Sequence, residues 1–244
     1  KIFTYNKNTI IFLIIMEIYI NINGVLRNFI EKFDYHYREY FLETDVDVLN
    51  EDIKTFDYKI TYPIFNDNLL KYYKFQSKDE YNNFCYIDYA LELFGHSRLS
   101  YQNVMLDLNE IIYGNKHINF TLIGIDEFGK AKPSTLFFLS KNGFLGNNIK
   151  FIDSQDIEKE WKKCDIWITD NKVIIDKCPK NKMAIKFNTP YNDYYNGQIE
   201  INKLTNIKEI CSHSWENTTI SMWTKLLTFV VQIMGLKNLK KIKD

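Results

Sequence analysis

Two side-chain amides stand two residues apart at the end of an apolar run, Ile18-Tyr19-Ile20-Asn21-Ile22-Asn23-Gly24. The tip of a buried strand is a common place for chemistry, because loops converge there. Asparagine restricts what that chemistry can be. Its amide oxygen is a neutral acceptor and a very poor nucleophile, and near pH 7 the group neither gives nor takes a proton usefully. Asn23-Gly24 is also an ordinary turn signal. An Asn before Gly deamidates readily to Asp, whereas Asn21, followed by Ile22, sits in a slow context. A second apolar run, Ile166-Trp167-Ile168-Thr169, leads into Asp170, whose carboxylate has a plain alternative use in capping the next turn. His36, His96, His117 and His213 form no motif. Cys85, Cys164, Cys178 and Cys211 show neither a C-x-x-C pair nor zinc spacing, so they read as reduced thiols in a cytosol-like compartment.

The elements that must position these groups follow from apolar spacing. Strands are expected over 17–22, 119–125, 148–153, 165–169 and 183–187. Helices are expected over 25–33, 134–141, 157–163 and 221–234, with shorter helical pieces near 34–43, 66–75, 78–84 and 86–94. Residues 102–113 read as an amphipathic helix with Val104, Leu106, Leu108, Ile111 and Ile112 on its apolar face. Strands alternating with helices predict an α/β fold with a parallel sheet.

The chain has 244 residues, enough for one large domain or a core with an insertion. Lys plus Arg and Asp plus Glu are 31 each, so no global field draws it to nucleic acid or to an anionic membrane. Frequent Lys, Asn, Ile, Tyr and Phe point to an AT-rich genome, such as that of a virus, phage or AT-rich bacterium. The apolar stretch 10–16 ends at Glu17, short of the roughly 20 residues a membrane helix needs. It lacks a small-residue cleavage site, so residues 1–15 read as a translated leader or an arm ahead of Met16 rather than a targeting segment. The tail 237–244, with Lys237, Lys240, Lys241 and Lys243, reads as a solvated terminus.

The frame Ile18-Tyr19-Ile20-Asn21-Ile22-Asn23-Gly24-Val25-Leu26 resembles the opening motif of the haloacid dehalogenase superfamily, with Asn at both positions where that family has Asp. Cys164-Asp165-Ile166-Trp167-Ile168-Thr169-Asp170-Asn171 is similar to its last motif. Lys182 to Phe187 running into Asn188-Thr189-Pro190-Tyr191-Asn192 resembles the ending of the 5′(3′)-deoxyribonucleotidases. The resemblance implies a three-layer Rossmannoid core with a parallel sheet, over 16–33 and 115–236, and an inserted, mainly helical cap over 34–114. It implies that Asn21 and Asn23 stand at the nucleophile and acid/base positions, degenerate in both cases. Asp170 would be the remaining metal ligand. Lys132, with Lys130 as runner-up, would be the phosphate-binding lysine, and Gly124 (or Ile125) holds the place of a phosphate-binding hydroxyl.

In that family an Asp attacks phosphorus and Mg²⁺ neutralises the developing charge. With Asn21 the attacking oxygen is gone, and Mg²⁺ affinity is weakened by loss of an anionic ligand. No other cofactor is implied. The expectation is a catalytically inactive, nucleotidase-like domain acting as a binding or interaction module, in the cytoplasm (of a host, if viral). Its partner would be a protein or a phosphate-bearing small molecule, with neither nucleic acid nor membrane involved. The alternative is an active Mg²⁺-dependent 5′-nucleotidase in which another carboxylate, Asp126 or Asp170, replaces the missing groups. A third reading is a structural protein on an unrelated α/β fold.

Overall fold

The computed structural model describes residues 3–6, 9–12, 16–44, 73, 75–115, 118–126 and 129–207. The chain divides into two compact units, Lys1–Leu204 and Thr205–Asp244, and the first carries the sheet. The expected helix at 221–234, residues 66–72 and 74 of the piece expected near 66–75, His117, His213, Cys211 and the basic tail lie outside the described residues.

Strands β1 (Phe3–Asn6) and β2 (Thr9–Phe12) form a small antiparallel sheet of their own, which the periodicity of residues 1–15 does not announce. The main sheet is built from β3 (Met16–Asn21), β4 (Ile118–Ile125), β5 (Ile149–Ile152), β6 (Ile166–Thr169), β7 (Met183–Phe187) and β8 (Ile199–Ile201). All neighbours are parallel, in the order β5-β4-β3-β6-β7-β8. Counted from β3 as the first strand, this is the 3-2-1-4-5-6 order of doubly wound dinucleotide-type sheets. The expected α/β class and parallel sheet are both present. β6 is an unbroken β-branched and aromatic run because a sheet covered on both faces leaves its central strands no polar side; all four of its residues are buried.

Tyr19 of β3, Ile123 of β4 and Trp167 of β6 pack with Ile157 and Trp161 of α6 (Ile157–Trp161) and Ile174 of α7 (Lys172–Asp176). The Trp161 indole donates to the Ile174 carbonyl at 3.0 Å, which ties the two short helices together. Glu160 is buried beneath this layer. It accepts from Tyr19 at 3.3 Å and from Lys163 at 2.6 Å, and also pairs with Lys150.

Between β3 and β4 lie α1 (Phe29–Thr44), α2 (Lys78–Asn83), a π-helical turn (Phe84–Asp88), α3 (Ala90–Gly95) and α4 (Val104–Gly114). Their core is aromatic. The Phe33 ring meets Tyr73 edge-on at 4.7 Å and Phe84 edge-on at 5.4 Å between ring centres, and Phe29 stacks on Phe94 at 5.2 Å. This cluster runs on to Ala131, ahead of α5 (Lys132–Lys141), and to Tyr191. Among the described residues no helix is long and apolar enough to cross a membrane.

Two sequence expectations need correction. The helix expected from residue 25 begins at Phe29, because the backbone first makes a closed turn over 23–27 and Asn28 then starts the helix. Asn28 Oδ1 accepts weakly from the Glu31 N–H at 3.4 Å while its Nδ2 donates to the Glu31 carboxylate at 2.7 Å. In α4 the buried positions are Val104, Met105, Leu108 and Ile111, and Leu106 is 64% exposed. The helix is rotated so that Met105, not Leu106, faces inward. Leu108→Ala is therefore expected to cost about 2–5 kcal/mol, and Leu106→Ala no more than about 0.5 kcal/mol. Urea unfolding of the two variants measures the difference.

Candidate functional site

The sheet order reverses at β3, with β4 on one side and β6 on the other, and ligands of doubly wound sheets bind beyond the strand ends at this point. Asn21 ends β3, and the Ile22 N–H still bonds to the Ile123 carbonyl at 2.9 Å. The chain then turns back. The Gly24 N–H donates to the Arg27 carbonyl at 2.9 Å, with Gly24 at φ +77°. Asp170 follows β6 directly. The two ends touch: a Cβ built on Gly24 would fall 2.0 Å from Asp170 Cγ and Oδ2. Glycine is required here both for its backbone angle and for space.

Asn21 is 3% exposed, and its Oδ1 accepts from the Trp167 indole at 2.7 Å. Tyr19 and Trp167 are register partners on adjacent strands, and their rings meet edge-on at 5.4 Å. Alternation along β3 puts Asn21 on the same side as Tyr19. The amide at the expected nucleophile position is thus committed to the layer beneath the sheet.

Asp170 is also 3% exposed and is held from three directions. The Tyr191 hydroxyl donates to its Oδ2 at 2.7 Å. The Tyr195 hydroxyl donates to its backbone carbonyl at 2.5 Å, and Asn192 Nδ2 reaches the same carbonyl at 3.5 Å. Asn192 also binds the Phe187 carbonyl at 2.9 Å and accepts from the Thr189 N–H at 2.9 Å. The stretch Pro190-Tyr191-Asn192 therefore closes a turn and grips the acid. Burial pushes the Asp170 carboxyl up to about 6, and the Tyr191 hydrogen bond only partly offsets that.

Asn23 Oδ1 accepts from Arg27 Nε at 2.5 Å. Arg27 is 2% exposed, and the sequence reading did not single it out. Its Nη1 donates to Thr135 Oγ1 at 3.1 Å and to the Phe94 carbonyl, and the guanidinium lies 5.0 Å and 5.5 Å from the Phe94 and Phe138 ring centres. Burial lowers its pKa to about 9, with Tyr86 and Asp126 acting against the fall. The one available signal was a cation inside Val25-Leu26-Arg27-Asn28-Phe29-Ile30.

Around β4 the structure places the other named residues as follows. Gly124 leaves room for the Phe151 ring, whose edge would lie 2.8 Å from an added Cβ. Lys132 is exposed, with its ammonium 5.7 Å above the same ring, and Lys130 is exposed too. Asp126 Oδ2 accepts the Ala131 and Lys132 N–H groups at 3.0 and 3.1 Å, so its carboxylate caps α5. Asn21, Asn23 and Asp170 converge on the switch point. Gly124 and Lys132 share their contact with Phe151.

Mg²⁺ needs near-octahedral oxygen coordination with carboxylate donors. Among the described residues no group of three or more His, Cys, Asp or Glu is arranged to hold a metal. Asp170 is the carboxylate that meets the Gly24 corner, and its Oδ2 accepts from Tyr191. The two amide oxygens are taken by Trp167 and by a cation, Arg27. The donor set does not fit the ion.

No family model matches this chain. No curated protein matches it either. Among solved structures it is similar to a haloacid dehalogenase-like hydrolase from Bacteroides fragilis, at 12% identity over 79% of this chain and 99% of that one, with a TM-score of 0.47. A haloacid dehalogenase-like hydrolase from Burkholderia xenovorans is similar at 8% identity, over 81% of this chain and 97% of that one, with a TM-score of 0.46.

Two outcomes follow from the geometry. Trp167→Phe strands the buried Asn21 oxygen and is expected to cost about 1–3 kcal/mol for that group alone, read by denaturant unfolding. For Asp170, the folded carboxyl titrates at about 6 and the free one at 3.8. Between those values the folded chain keeps a proton that the unfolded chain has released, so stability falls as pH rises through this window and stays lower above it. The Asp170→Asn variant lacks that decline. Its stability relative to the parent should rise by roughly 3 kcal/mol between about pH 4 and pH 7, followed by unfolding at a series of pH values.

Proposed function

We propose that this chain is a haloacid-dehalogenase-like domain of the deoxyribonucleotidase type that has lost its hydrolytic centre and works by binding rather than by turnover. The observation that carries the reading is Asn21: the group at the nucleophile position is a neutral amide, buried, with its oxygen bonded to Trp167. The kinship is supported by the 3-2-1-4-5-6 strand order, by the contact of Gly24 with Asp170, and by the grip of Tyr191 and Asn192 on that acid. In this reading the helices between β3 and β4 are the cap, and their aromatic core, running on to Tyr191, fills the approach to the strand ends.

The active alternative needs a substitute carboxylate. Asp126 is spent on capping α5, and Asp170 lies sealed under Gly24 and Tyr191. Losing a nucleophile removes several orders of magnitude in rate. Binding of a protein partner, or weak binding of a phosphate-bearing small molecule, is the activity that remains.

The purified chain, assayed with deoxynucleoside monophosphates and Mg²⁺, should release phosphate at the protein-free rate, with Asp170→Asn giving the same trace. Release above background that disappears in Asp170→Asn would overturn the reading.

A further inference from the structure

Asn-Gly occurs three times in the chain, at Asn23-Gly24, Asn142-Gly143 and Asn196-Gly197. In such a pair the glycine nitrogen can attack the asparagine Cγ, because glycine has no side chain to obstruct the approach. The attacking N–H gives up its proton, the side-chain nitrogen departs as ammonia, and water opens the five-membered imide to aspartate or isoaspartate. The amide must swing onto the following nitrogen for this to happen, so a hydrogen bond on either group holds the reaction back.

The fold treats the three pairs differently. At Asn23 both groups are held: Oδ1 accepts from the buried Arg27 at 2.5 Å, and the Gly24 N–H donates to the Arg27 carbonyl at 2.9 Å. The corner is also packed on Asp170, with no room to reshape. At Asn142 both groups are again held, by neutral partners: Nδ2 donates to the Phe138 carbonyl at 2.8 Å, and the Gly143 N–H to the Ser140 carbonyl at 3.1 Å. Asn196 is exposed, and its side chain has no hydrogen bond to a described residue. Only the Gly197 N–H is engaged, by the Glu200 carboxylate at 2.7 Å.

We infer that Asn196 is the site at which the folded chain deamidates, and that the fold shields Asn23, where the same reaction would place a carboxylate at the end of β3. Glu200 also meets Lys186 at 3.5 Å, and Lys186 donates to the Tyr195 carbonyl at 2.6 Å. The new acid therefore arises next to the residue whose hydroxyl holds the Asp170 carbonyl. The chain ages beside that clasp and keeps an amide at position 23. The inference does not depend on the proposed function.

The full chain is incubated at mildly alkaline pH, folded and in urea, and its peptides are followed by mass spectrometry for exchange of amide for acid. In urea the three pairs should convert at comparable rates. In the folded chain Asn196 should stay within a few-fold of its rate in urea, Asn142 should be several-fold slower than in urea, and Asn23 slower by about tenfold or more, since its restraint is a bond to a charged group. Folded-state conversion of Asn23 or Asn142 as fast as that of Asn196 overturns the inference. So does an Asn196 that stays intact while the unfolded chain converts, or a ratio among the three sites that urea leaves unchanged.

Discussion

The parallel pairing of β3 with β6 decides where every polar group of the site ends up. It fixes Ile18 opposite Ile166 and Ile20 opposite Ile168, and so brings the corner after Asn21 onto the acid after Thr169. A parallel ladder leaves its last carbonyls and amides to the following loops, and those loops meet only where the strand order reverses. Given that register, Gly24 has no room for a side chain, and Asp170 has no direct route to water. The surrounding hydroxyls and amides then serve the acid rather than a ligand.

Burying an acid this way is costly, and the neighbourhood offsets only part of the cost. Tyr191 supplies one strong bond to the carboxylate, while Tyr195 and Asn192 bond to the backbone next to it. The raised Asp170 pKa expresses the remainder. Arg27 shows the mirror condition, a cation set among ring faces and neutral acceptors, with the Asp126 carboxylate offsetting only part of the cost of its burial. The buried acid and the buried cation lie near one corner of the chain; the acid is solvated by neutral dipoles, and the cation by neutral acceptors, ring faces and the field of Asp126. Such a layout fixes conformation, because any rearrangement would expose one of them without a partner.

Much of this was legible in the sequence, and for identifiable reasons. β3 and β6 centre on β-branched and aromatic residues, β7 is a short, mostly apolar run, and β7 lies where that run indicated, at Met183–Phe187. The approach of the corner after β3 to the acid after β6 is what the resemblance of the two strand-end motifs implied. What escaped was set by packing. α7 has five residues and β8 three, too few for any period to show. The phase of α4 was misjudged because Leu106 is as apolar as its buried neighbours, and only the position of β4 decides which side faces in. The spacing of Asn28 and Glu31 was a helix-start signal hidden inside an apolar stretch. Arg27 was unreadable as a buried cation, since an arginine beside leucine more often reaches out to solvent along its alkyl stem.

Asp126 carries one more consequence. The leading end of a ten-residue helix bears a partial positive charge, where dissolved anions tend to settle. Here the chain has brought its own anion to that pole, tethered five residues upstream of Ala131. A tethered counter-charge cannot be diluted, washed out or displaced by competition as a dissolved one can. At this pole of α5 the counter-charge is part of the chain, so the cap itself does not depend on an anion recruited from the surrounding medium.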